Sequence, residues 1–358
     1  MLNGVASAFV LAAGLSGHLK ADYACIEIDE ASTVRVFPHF CPDYMVLTNL
    51  FRDQLDRYGE IDITMDLLSR AMKMAPKMNV LVNGDDSLST YLALENENPH
   101  FTFGIGEQVF QEEDTREIRE GRFCKRCGEK MEYRFYHYSQ LGDYYCPRCG
   151  FKRPQLDFNG THVSLAEGIS FDVGDFHIKA SYRGFYNVYN ILAVYGAASL
   201  AGVPLDNFNK VLGNYTPQFG RNELFQISDT RVMLNLAKNP AGFNQNISAV
   251  MTDTAPKDII ILINDNSQDG TDVSWLWDVD FDRLANANAA SITVCGIRCQ
   301  DMRLRLKYVD IPCSLEPDIE KAITAKISDG VKNLYVLVNY TGLYTTHNIL
   351  KRMEGRKS

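Results

Sequence analysis

Two phosphate-binding signatures are missing from this sequence. Neither Gly-x-x-x-x-Gly-Lys-Ser/Thr nor Gly-x-Gly-x-x-Gly occurs anywhere in its 358 residues. Such glycine-rich loops bind nucleotide phosphates through backbone N–H groups at the start of a helix. The chain therefore has no phosphate-binding loop of its own. We expect weak or no ATP turnover from it alone, and recovery when an upstream segment with such a loop is supplied.

A positively charged leader and a membrane-spanning run are also missing. Residues 5–15 are apolar, but no Lys or Arg precedes them, as a signal peptide requires. The run is too short to cross a bilayer. It predicts a buried helix that begins without a preceding strand or cap, so we interpret the chain as an N-terminally truncated α/β protein.

Positive charge is in deficit over the whole chain. Lys and Arg number 36 against 45 Asp and Glu, which gives a formal net charge of −9. This balance argues against general nucleic-acid binding. The hydrophobic content of 46% and the charged content of 23% are those of a soluble globular protein. The length suffices for two domains with separate cores.

Cysteine, in contrast, is both plentiful and patterned. Cys124, Cys127, Cys146 and Cys149 form two Cys-x-x-Cys pairs with the spacing of a four-thiolate zinc ribbon. The alternative, two disulfides, requires an oxidising compartment. Because the other five cysteines are scattered, a reducing cytosol is the better interpretation. We therefore predict a structural Zn²⁺ site in a cytoplasmic protein.

The segment around these cysteines, residues 120–154, is basic and rich in Tyr and Phe. It breaks the alternation of strands and helices and is predicted to be a ribbon inserted into an α/β domain. Three roles stay open: a clip that stabilises the fold, a docking surface for substrate or partner, and a nucleic-acid site. A closed four-thiolate site has no open coordination position, which favours the clip.

Strand-like and helix-like runs alternate through the rest of the first half. Residues 23–28, 44–48 and 79–82 are predicted strands, and 61–74 and 187–200 are predicted helices. Polar residues follow each strand, where parallel α/β sheets bind their ligands. Loop and helix-cap roles explain the same residues equally well.

A second α/β unit is predicted after a Gly-, Asn- and Pro-containing stretch at residues 214–220. We therefore divide the chain into residues 1–220, with the ribbon at about 120–154, and residues 221–358. The predicted strands of the second unit are 232–236, 259–263, 291–295 and 334–338, with helices at 245–251 and 318–327.

Several motifs together resemble the Mur ligase family. Residues 26–32 (Ile-Glu-Ile-Asp-Glu-Ala-Ser), 48–59 and 83–86 (Asn-Gly-Asp-Asp) resemble its central domain, and 184–190 and 219–223 continue the series. The zinc ribbon and residues 269–275 (Asp-Gly-Thr-Asp-Val-Ser-Trp) distinguish one branch. Over essentially its whole length, the chain resembles the MurT-type subunits of lipid II isoglutaminyl synthase.

This resemblance implies a fold and an activity. The expected fold is a Mur-ligase-like central α/β domain with an inserted four-cysteine zinc ribbon, followed by a Rossmann-like α/β C-terminal domain. The expected reaction is ATP- and Mg²⁺-dependent amidation of the D-glutamate α-carboxylate of lipid II at the membrane surface. Ammonia would come from a GatD-type glutamine amidotransferase in a heterodimer. A non-catalytic zinc-ribbon scaffold and an amino-acid-adding Mur ligase remain alternatives.

The resemblance also assigns roles to individual residues. Asn187 and Asn190 would contact the nucleotide, Arg221 would approach its phosphates, and Lys238 would have a lesser role at the nucleotide or substrate. Glu27 would be the metal-binding carboxylate. The alternative makes the two asparagines helix-start residues and Arg221 a partner in a surface salt bridge.

Two further positions complete the expectations. Gln54 stands where ordinary Mur ligases have a metal-binding His, so magnesium ligation differs at that point. The resemblance implies that Asp272 orients a histidine in the partner's active site, which in turn activates a cysteine for glutamine hydrolysis. Asp272 also precedes a predicted helix and is suited to cap it, and the two roles are compatible.

Overall fold

The first half of the chain forms a mixed β-sheet. The computed structural model describes residues 1–51, 61–110, 120–181, 184–215 and 220–355. Within them the first sheet comprises β1 (Tyr44–Leu47), β2 (Asn79–Asn83), β3 (His100–Ile105), β6 (Phe158–Ser164), β7 (Ile169–Val173) and β8 (Phe176–Ala180). The strands lie in that order. Strands β1, β2, β3 and β6 are parallel to one another, and β7 is antiparallel to both of its neighbours, β6 and β8.

Helices cover the faces of this sheet because their apolar residues recur at helical spacing. The helix at Ile61–Met74 has the predicted bounds and buries Ile61, Met65, Leu68 and Met72. The described helices of this half are α1 (Leu2–Ala13), α2 (Glu30–Val36), α3 (Ile61–Met74), α4 (Ser87–Leu94), α5 (Tyr186–Leu200) and α6 (Phe208–Asn214).

The N-terminal helix differs from its prediction. Val5 is the one buried residue of α1, whereas Val10 and Leu11 are 70% and 82% exposed. Leu2, Val5 and Phe9 pack against the core on one side only. The prediction of a buried helix is therefore wrong, because the apolar run covers the whole helix and only one of its faces has a neighbour.

Residues 23–28 also differ from their prediction. They contain no strand, and Tyr23 and Cys25 are exposed. Ile26 and Ile28 pack on the core without backbone pairing to a neighbouring strand. The alternation of apolar residues is real, but a strand also needs a partner along its edge.

A two-stranded hairpin interrupts the first sheet in sequence. Its strands, β4 (Glu132–Tyr138) and β5 (Leu141–Tyr145), pair with each other in a sheet of their own. The cysteine pairs flank this hairpin. A small core of Cys124, Met131, Tyr144, Cys146 and Phe151 holds the ribbon together.

The second half of the chain builds a predominantly parallel sheet. Its strands are β9 (Glu223–Ile227), β10 (Thr230–Leu236), β11 (Lys257–Leu262), β12 (Ala289–Cys295), β13 (Ser314–Leu315) and β14 (Asn333–Val338). Their order is β13-β12-β11-β14-β10-β9, and only the edge strand β9 is antiparallel. The four strands predicted from apolar runs are confirmed within two residues at either end.

The described helices of this half are α7 (Pro240–Thr252), α8 (Cys299–Lys307), α9 (Ile319–Ser328) and α10 (Tyr340–Gly355), with 3-10 helices at Ser274–Asp278 and Phe281–Asn286. Helix α7 begins five residues before its predicted start. Asn239 accepts a hydrogen bond from Gly242 N at 2.8 Å, and Pro240 occupies the first turn, where its missing N–H costs nothing.

The hydrophobic clusters of the two halves do not share residues. One group of clusters draws its buried residues from Val5 to Leu212, and the other from Phe225 to Leu350. Among the described helices, none combines the length and the apolar character needed to span a bilayer.

Candidate functional site

The four patterned cysteines converge on one point. Cys124 Sγ lies 3.6 Å from Cys149 Sγ, Cys127 Sγ lies 3.5 Å from Cys146 Sγ, and all four sulfurs lie within 4.8 Å of one another. Zn–S bonds of about 2.3 Å in a tetrahedron separate the sulfurs by about 3.8 Å. Disulfide sulfurs would be about 2.05 Å apart. The donor set therefore fits Zn²⁺, and the cysteines are not paired as disulfides.

The turns that carry the cysteines follow from two glycines. Gly128 and Gly150 have φ values of +75° and +74°, and their N–H groups donate to the carbonyls of Cys124 and Cys146. This left-handed conformation is open to glycine at little cost. Burial raises the pKa of the Cys124 thiol to about 12, so metal binding has to release a proton there.

The ribbon is tied to the first sheet by a buried carboxylate, Asp85, in the loop after β2. Asp85 is fully buried, and Arg153, at the end of the ribbon, donates to its Oδ1 at 2.6 Å. Tyr189 of α5 donates its hydroxyl to Oδ2 at 2.7 Å, and Ile105 N donates to the same oxygen at 2.8 Å. His137 Nδ1 of the hairpin lies 3.8 Å from Oδ2. Ribbon, sheet and helix α5 therefore meet at one carboxylate.

A second buried carboxylate, Asp86, makes a similar connection to the loop after β1. Leu50 N donates to its Oδ2 at 2.8 Å, and Ser89 donates its hydroxyl to the same oxygen at 2.6 Å. Gln140, at the tip of the ribbon hairpin, donates to Leu50 O at 2.8 Å. Burial raises the pKa of Asp86, against the effect of these donors.

The predicted nucleotide residues form a cluster between the two halves. Asn187 and Asn190 lie at the start of α5, and Asn190 Nδ2 donates to Asn187 Oδ1 at 3.2 Å. Burial raises the pKa of Tyr186, while the positive charge of Arg221 and a hydrogen bond with Asn187 oppose that rise. Asn222 Nδ2 reaches the Tyr186 hydroxyl at 3.5 Å. Asn222, the neighbour of Arg221 in the second half, therefore reaches the helix that carries both asparagines.

The backbone around Arg221 is fixed by the second sheet. Gly220 N donates to Glu223 Oε2 at 3.1 Å, and that carboxylate also pairs with His347 of α10. Asn222 has a positive φ of 55° and exchanges hydrogen bonds with Asn235 of β10. Arg221 itself is exposed, without an ion pair to any described residue. Its guanidinium is thus available for an anionic ligand.

Lys238 lies just after the carboxyl end of β10, two residues beyond Leu236, whose N–H donates to Gly220 O at 2.6 Å. It is half-buried and directly precedes Asn239, the N-cap of α7. The first turn of α7 lines a small, open cleft between the halves. The residues lining it are Phe51, Glu120, Ser139, Pro240, Ala241, Asn244 and Asp278. Ribbon residues and the C-terminal unit therefore face each other across this cleft.

Asp272 lies on the surface in the loop between β11 and β12. Its Oδ1 accepts a hydrogen bond from Ser274 N at 2.7 Å. The hydrogen bonds from Ser274 lower the pKa of Asp272, so the carboxylate is ionised at neutral pH. The residue at the N-cap of the short helix is Val273, and Asp272 forms an Asx turn one residue earlier. Asp272 therefore lies one residue before the N-cap position predicted for it, and its carboxylate remains exposed.

Of the positions predicted for magnesium, only Glu27 lies among the described residues. Glu27 is exposed in the segment before α2, and no hydrogen bond or ion pair joins it to another described residue. Gln54 lies outside the described residues. In the described part of the chain, the four cysteines are the one group of three or more metal-ligating side chains that converges. Magnesium commonly uses one or two carboxylates together with substrate phosphates, so a preassembled cage is not required.

Sequence reasoning misses the residues that hold these groups in place. The motif at residues 184–190 contains Tyr186 but gives it no role, and Asp85 stands out only as a polar residue after a strand. Arg153 is one of many basic residues in the ribbon. A buried contact between distant segments leaves no local sequence pattern, although the pair of carboxylates directly after a strand is a usable signal.

Comparisons with known proteins agree with this architecture. A family model described as MurT ligase C-terminal matches residues 236–343. The MurT subunit of glutamine-hydrolysing lipid II isoglutaminyl synthase from Staphylococcus aureus (strain COL) is 34% identical over 100% of this chain and 80% of its own. The protein of the same name from Streptococcus pneumoniae is 32% identical over 98% of this chain and 78% of its own.

Solved structures show the same fold at lower identity. The structure of a pseudomurein peptide ligase type C from Methanothermus fervidus superposes with a TM-score of 0.69 at 20% identity, over 89% of this chain and 65% of that one. MurF ligase from Thermotoga maritima in complex with ADP gives 0.56 at 14% identity, over 90% and 65%. Because the two relatives above are similar along essentially the whole chain on this Mur-ligase-like fold, the chain belongs to the MurT family of ligases.

Proposed function

We propose that this protein is the ATP-dependent subunit of a lipid II isoglutaminyl synthase. It amidates the α-carboxylate of D-glutamate in lipid II to D-isoglutamine, with ammonia from a GatD-type glutamine amidotransferase. The observation that carries the proposal is the contact of Asn222, which follows Arg221, with Tyr186 at the start of α5, beside Asn187 and Asn190, in a chain similar to MurT subunits over its whole length.

The chemistry requires two displacements. A carboxylate oxygen of the substrate attacks the γ-phosphorus of ATP, and ADP leaves. Ammonia then adds its lone pair to the acyl carbon, phosphate leaves with the bonding pair, and the nitrogen loses a proton. Both steps build negative charge on phosphate oxygens, which a guanidinium and a magnesium ion offset. We assign the guanidinium to Arg221 and one magnesium ligand to Glu27.

The remaining assignments follow the resemblance to Mur ligases. Asn187 and Asn190 present amide groups that orient the nucleotide, and Lys238 acts from the carboxyl end of β10 on nucleotide or substrate. The cleft lined by the ribbon and the first turn of α7 is where we place the substrate carboxylate. Zn²⁺ in the ribbon has a structural role, because four thiolates leave no open coordination position.

Asp272 provides the link to the glutaminase. An exposed, ionised carboxylate suits the orienting role in a nucleophile–base–acid triad divided between two chains. We propose that it holds a histidine of the partner subunit in the tautomer that deprotonates a cysteine.

The complex is a cytoplasmic heterodimer that meets lipid II at the membrane surface. We divide this chain functionally into residues 1–220, including the ribbon at about 120–154, and 221–358.

The test is amidation of lipid II by this protein with a GatD-type partner, ATP, Mg²⁺ and glutamine, measured by mass spectrometry. It is run with this chain and with the same chain extended by an upstream phosphate-binding loop. We expect the extended chain to give one amide per stem peptide and one ADP per amide. A glutamine-free reaction with ammonium chloride tests the synthetase alone.

Two outcomes of this test would contradict the proposal. Absence of ADP release from the extended chain in both reactions would favour a zinc-ribbon scaffold. ADP release that depends on an added amino acid would favour an amino-acid-adding ligase.

Asp272→Asn tests the divided triad. The variant keeps the size and an oxygen acceptor for Ser274 N but loses the charge that stabilises an imidazolium. We expect glutamine hydrolysis to fall by about 10³-fold or more, with amidation from ammonium chloride unchanged. Glutamine hydrolysis at the wild-type rate would contradict the role of Asp272 without touching the assignment of the synthetase.

A further inference from the structure

A junction of three hydrogen bonds at the hydroxyl of Thr341 connects helix α10 to residues 264–269 of the loop that leads to Asp272. Thr341 is the second residue of α10 and lies at the carboxyl end of β14. Its Oγ1 accepts from Asn264 Nδ2 at 3.2 Å and from Asn266 Nδ2 at 2.9 Å, and it donates to Asp269 Oδ2. A hydroxyl has one donor and two acceptor positions, so all three are used.

Asp269, in the same loop, accepts two hydrogen bonds from Thr341, and we call this pair of contacts the Thr341 clamp. It is only 5% exposed, and its Oδ1 accepts from Thr341 N at 2.8 Å. Asp269 thus holds both the hydroxyl and the backbone of one residue at the N-terminus of α10, where a negative charge is favoured by the helix dipole. Removing the hydroxyl would take one hydrogen bond from the buried carboxylate of Asp269 and one from the half-buried amide of Asn264.

The same loop is fastened at its start as well. Asn264 N donates to Asn339 Oδ1 at 3.1 Å, and Asn339 Nδ2 donates back to Asn264 O at 2.6 Å. Gly270, with a φ of +85°, then turns the chain directly after Asp269. Asp272 follows two residues later, with its carboxylate held to Ser274 N. The chain is therefore fixed on both sides of Asp272.

We infer that Thr341 is a positioning residue for glutamine hydrolysis: through Asp269 and the two asparagines, its hydroxyl fixes the loop from which Asp272 reaches the partner's active site. This inference rests on the proposed role of Asp272. Thr341 touches no reacting atom, and its hydroxyl bonds to the loop of Asp272 rather than to the Arg221 cluster. Its loss should affect the glutaminase and leave the synthetase intact.

The magnitude follows from the precision that a triad requires. Displacement of a catalytic group by about 1 Å costs on the order of 10²-fold in rate. Thr341→Val keeps the side-chain shape and removes the three hydrogen bonds of the hydroxyl. We expect the glutamine hydrolysis rate of the complex to fall about 10- to 100-fold, while amidation from ammonium chloride stays at the wild-type rate.

The same helix offers a matched control. Thr346 of α10 is fully buried, and its hydroxyl has no hydrogen-bond partner in the described structure. Thr346→Val is therefore the same chemical change in the same helix without the junction, and it should leave glutamine hydrolysis unchanged. Thr341→Ser, which restores the hydroxyl, should recover most of the activity that Thr341→Val loses.

The experiment measures both reactions for these variants in the full complex. Thr341→Val in an Asp272→Asn background should cause no further loss, because the two residues act in one step. Equal losses in the glutamine and ammonia reactions, no loss in Thr341→Val, or a further multiplicative loss in the double variant would each overturn the inference. If Thr341→Val does not fold, Asn266→Ala replaces it, since Asn266 is exposed and supplies one of the three bonds. Failure of the ammonia reaction in the wild type would overturn the proposed function instead.

Discussion

Arg221 lies at the boundary between the two halves, directly before Asn222, which reaches Tyr186 of α5. It is exposed, its backbone is fixed by Glu223 and Asn235, and its charge acts on Tyr186 across the boundary. In the proposed function, this guanidinium offsets the charge that develops on the phosphate oxygens of ATP, a form of electrostatic stabilisation that is usually the largest contribution to catalysis.

Arg221→Ala should therefore lower the amidation rate by about 10²-fold or more. The effect should be the same with glutamine and with ammonium chloride, because the loss is in phosphoryl transfer. Glutamine hydrolysis in the assembled complex should be maintained. The control is Arg70→Ala, which removes an exposed arginine of α3 whose pairing with Asp66 is a weak surface contact. A wild-type amidation rate in Arg221→Ala would contradict the assignment.

Residue chemistry determines how much of this site the sequence could predict. Zinc ligation imposes a fixed spacing on cysteines, so Cys124, Cys127, Cys146 and Cys149 could be predicted from spacing alone, and their sulfurs converge. Asp85 and Thr341 have no such local pattern. Their partners come from distant segments, and only the folded chain shows that Arg153 and Tyr189, or Asn264 and Asp269, meet there.

At the scale of elements, the ribbon is bonded both to the first sheet and, through Asp85, to helix α5. Its Arg153 and the α5 residue Tyr189 bind opposite oxygens of Asp85, so the insertion supports the helix that carries Asn187 and Asn190. The four converging cysteines close the ribbon, and Asp85 connects it to helix α5. Loss of the metal should consequently loosen the start of α5 as well as the ribbon.

Arg153→Leu tests this connection. It leaves the fully buried Asp85 without its cation, a change that typically costs about 3–5 kcal/mol of unfolding free energy. We expect a lower melting temperature and faster amide hydrogen exchange in both the ribbon and the first turns of α5. Arg148→Leu is the control, since Arg148 is an exposed residue of the same ribbon without an ion pair to any described residue. Faster exchange confined to the ribbon would contradict the coupling.

Elements with a continuous apolar run or a clear helical period can be predicted with nearly correct bounds. Strand β11, buried along all six residues, and helix α3 are examples. The strand predicted at residues 23–28 and the burial predicted for helix α1 are wrong. Their apolar residues are present, but the described structure does not give every face a neighbour. Periodicity reports what a segment could bury, and the contacts of the whole fold decide what it does bury.

At the scale of the whole molecule, the residues that we propose for the partner's glutaminase lie in the second half, whereas the proposed nucleotide residues come from both halves. The nucleotide asparagines and the ribbon belong to the first sheet, and Asp272 with its Thr341 clamp belongs to the second. Arg221 lies at the boundary between the two. The proposal therefore places Asn187 and Asn190 in residues 1–220 and the contact with the partner's glutaminase in residues 221–358, which also supply Arg221 and Lys238 to phosphoryl transfer.

The division predicts that residues 221–358 are sufficient to activate the partner. Their buried clusters draw on residues 225–350 of the same unit, so the fragment retains its own core. It also retains Asp272, Asp269 and Thr341, but it lacks Asn187 and Asn190. We expect the isolated fragment to bind a GatD-type partner and to support glutamine hydrolysis without binding ATP. The same fragment with Asp272→Asn is the control and should bind without activation. A folded, partner-bound fragment that supports no hydrolysis would show that the first half is also needed to assemble the triad.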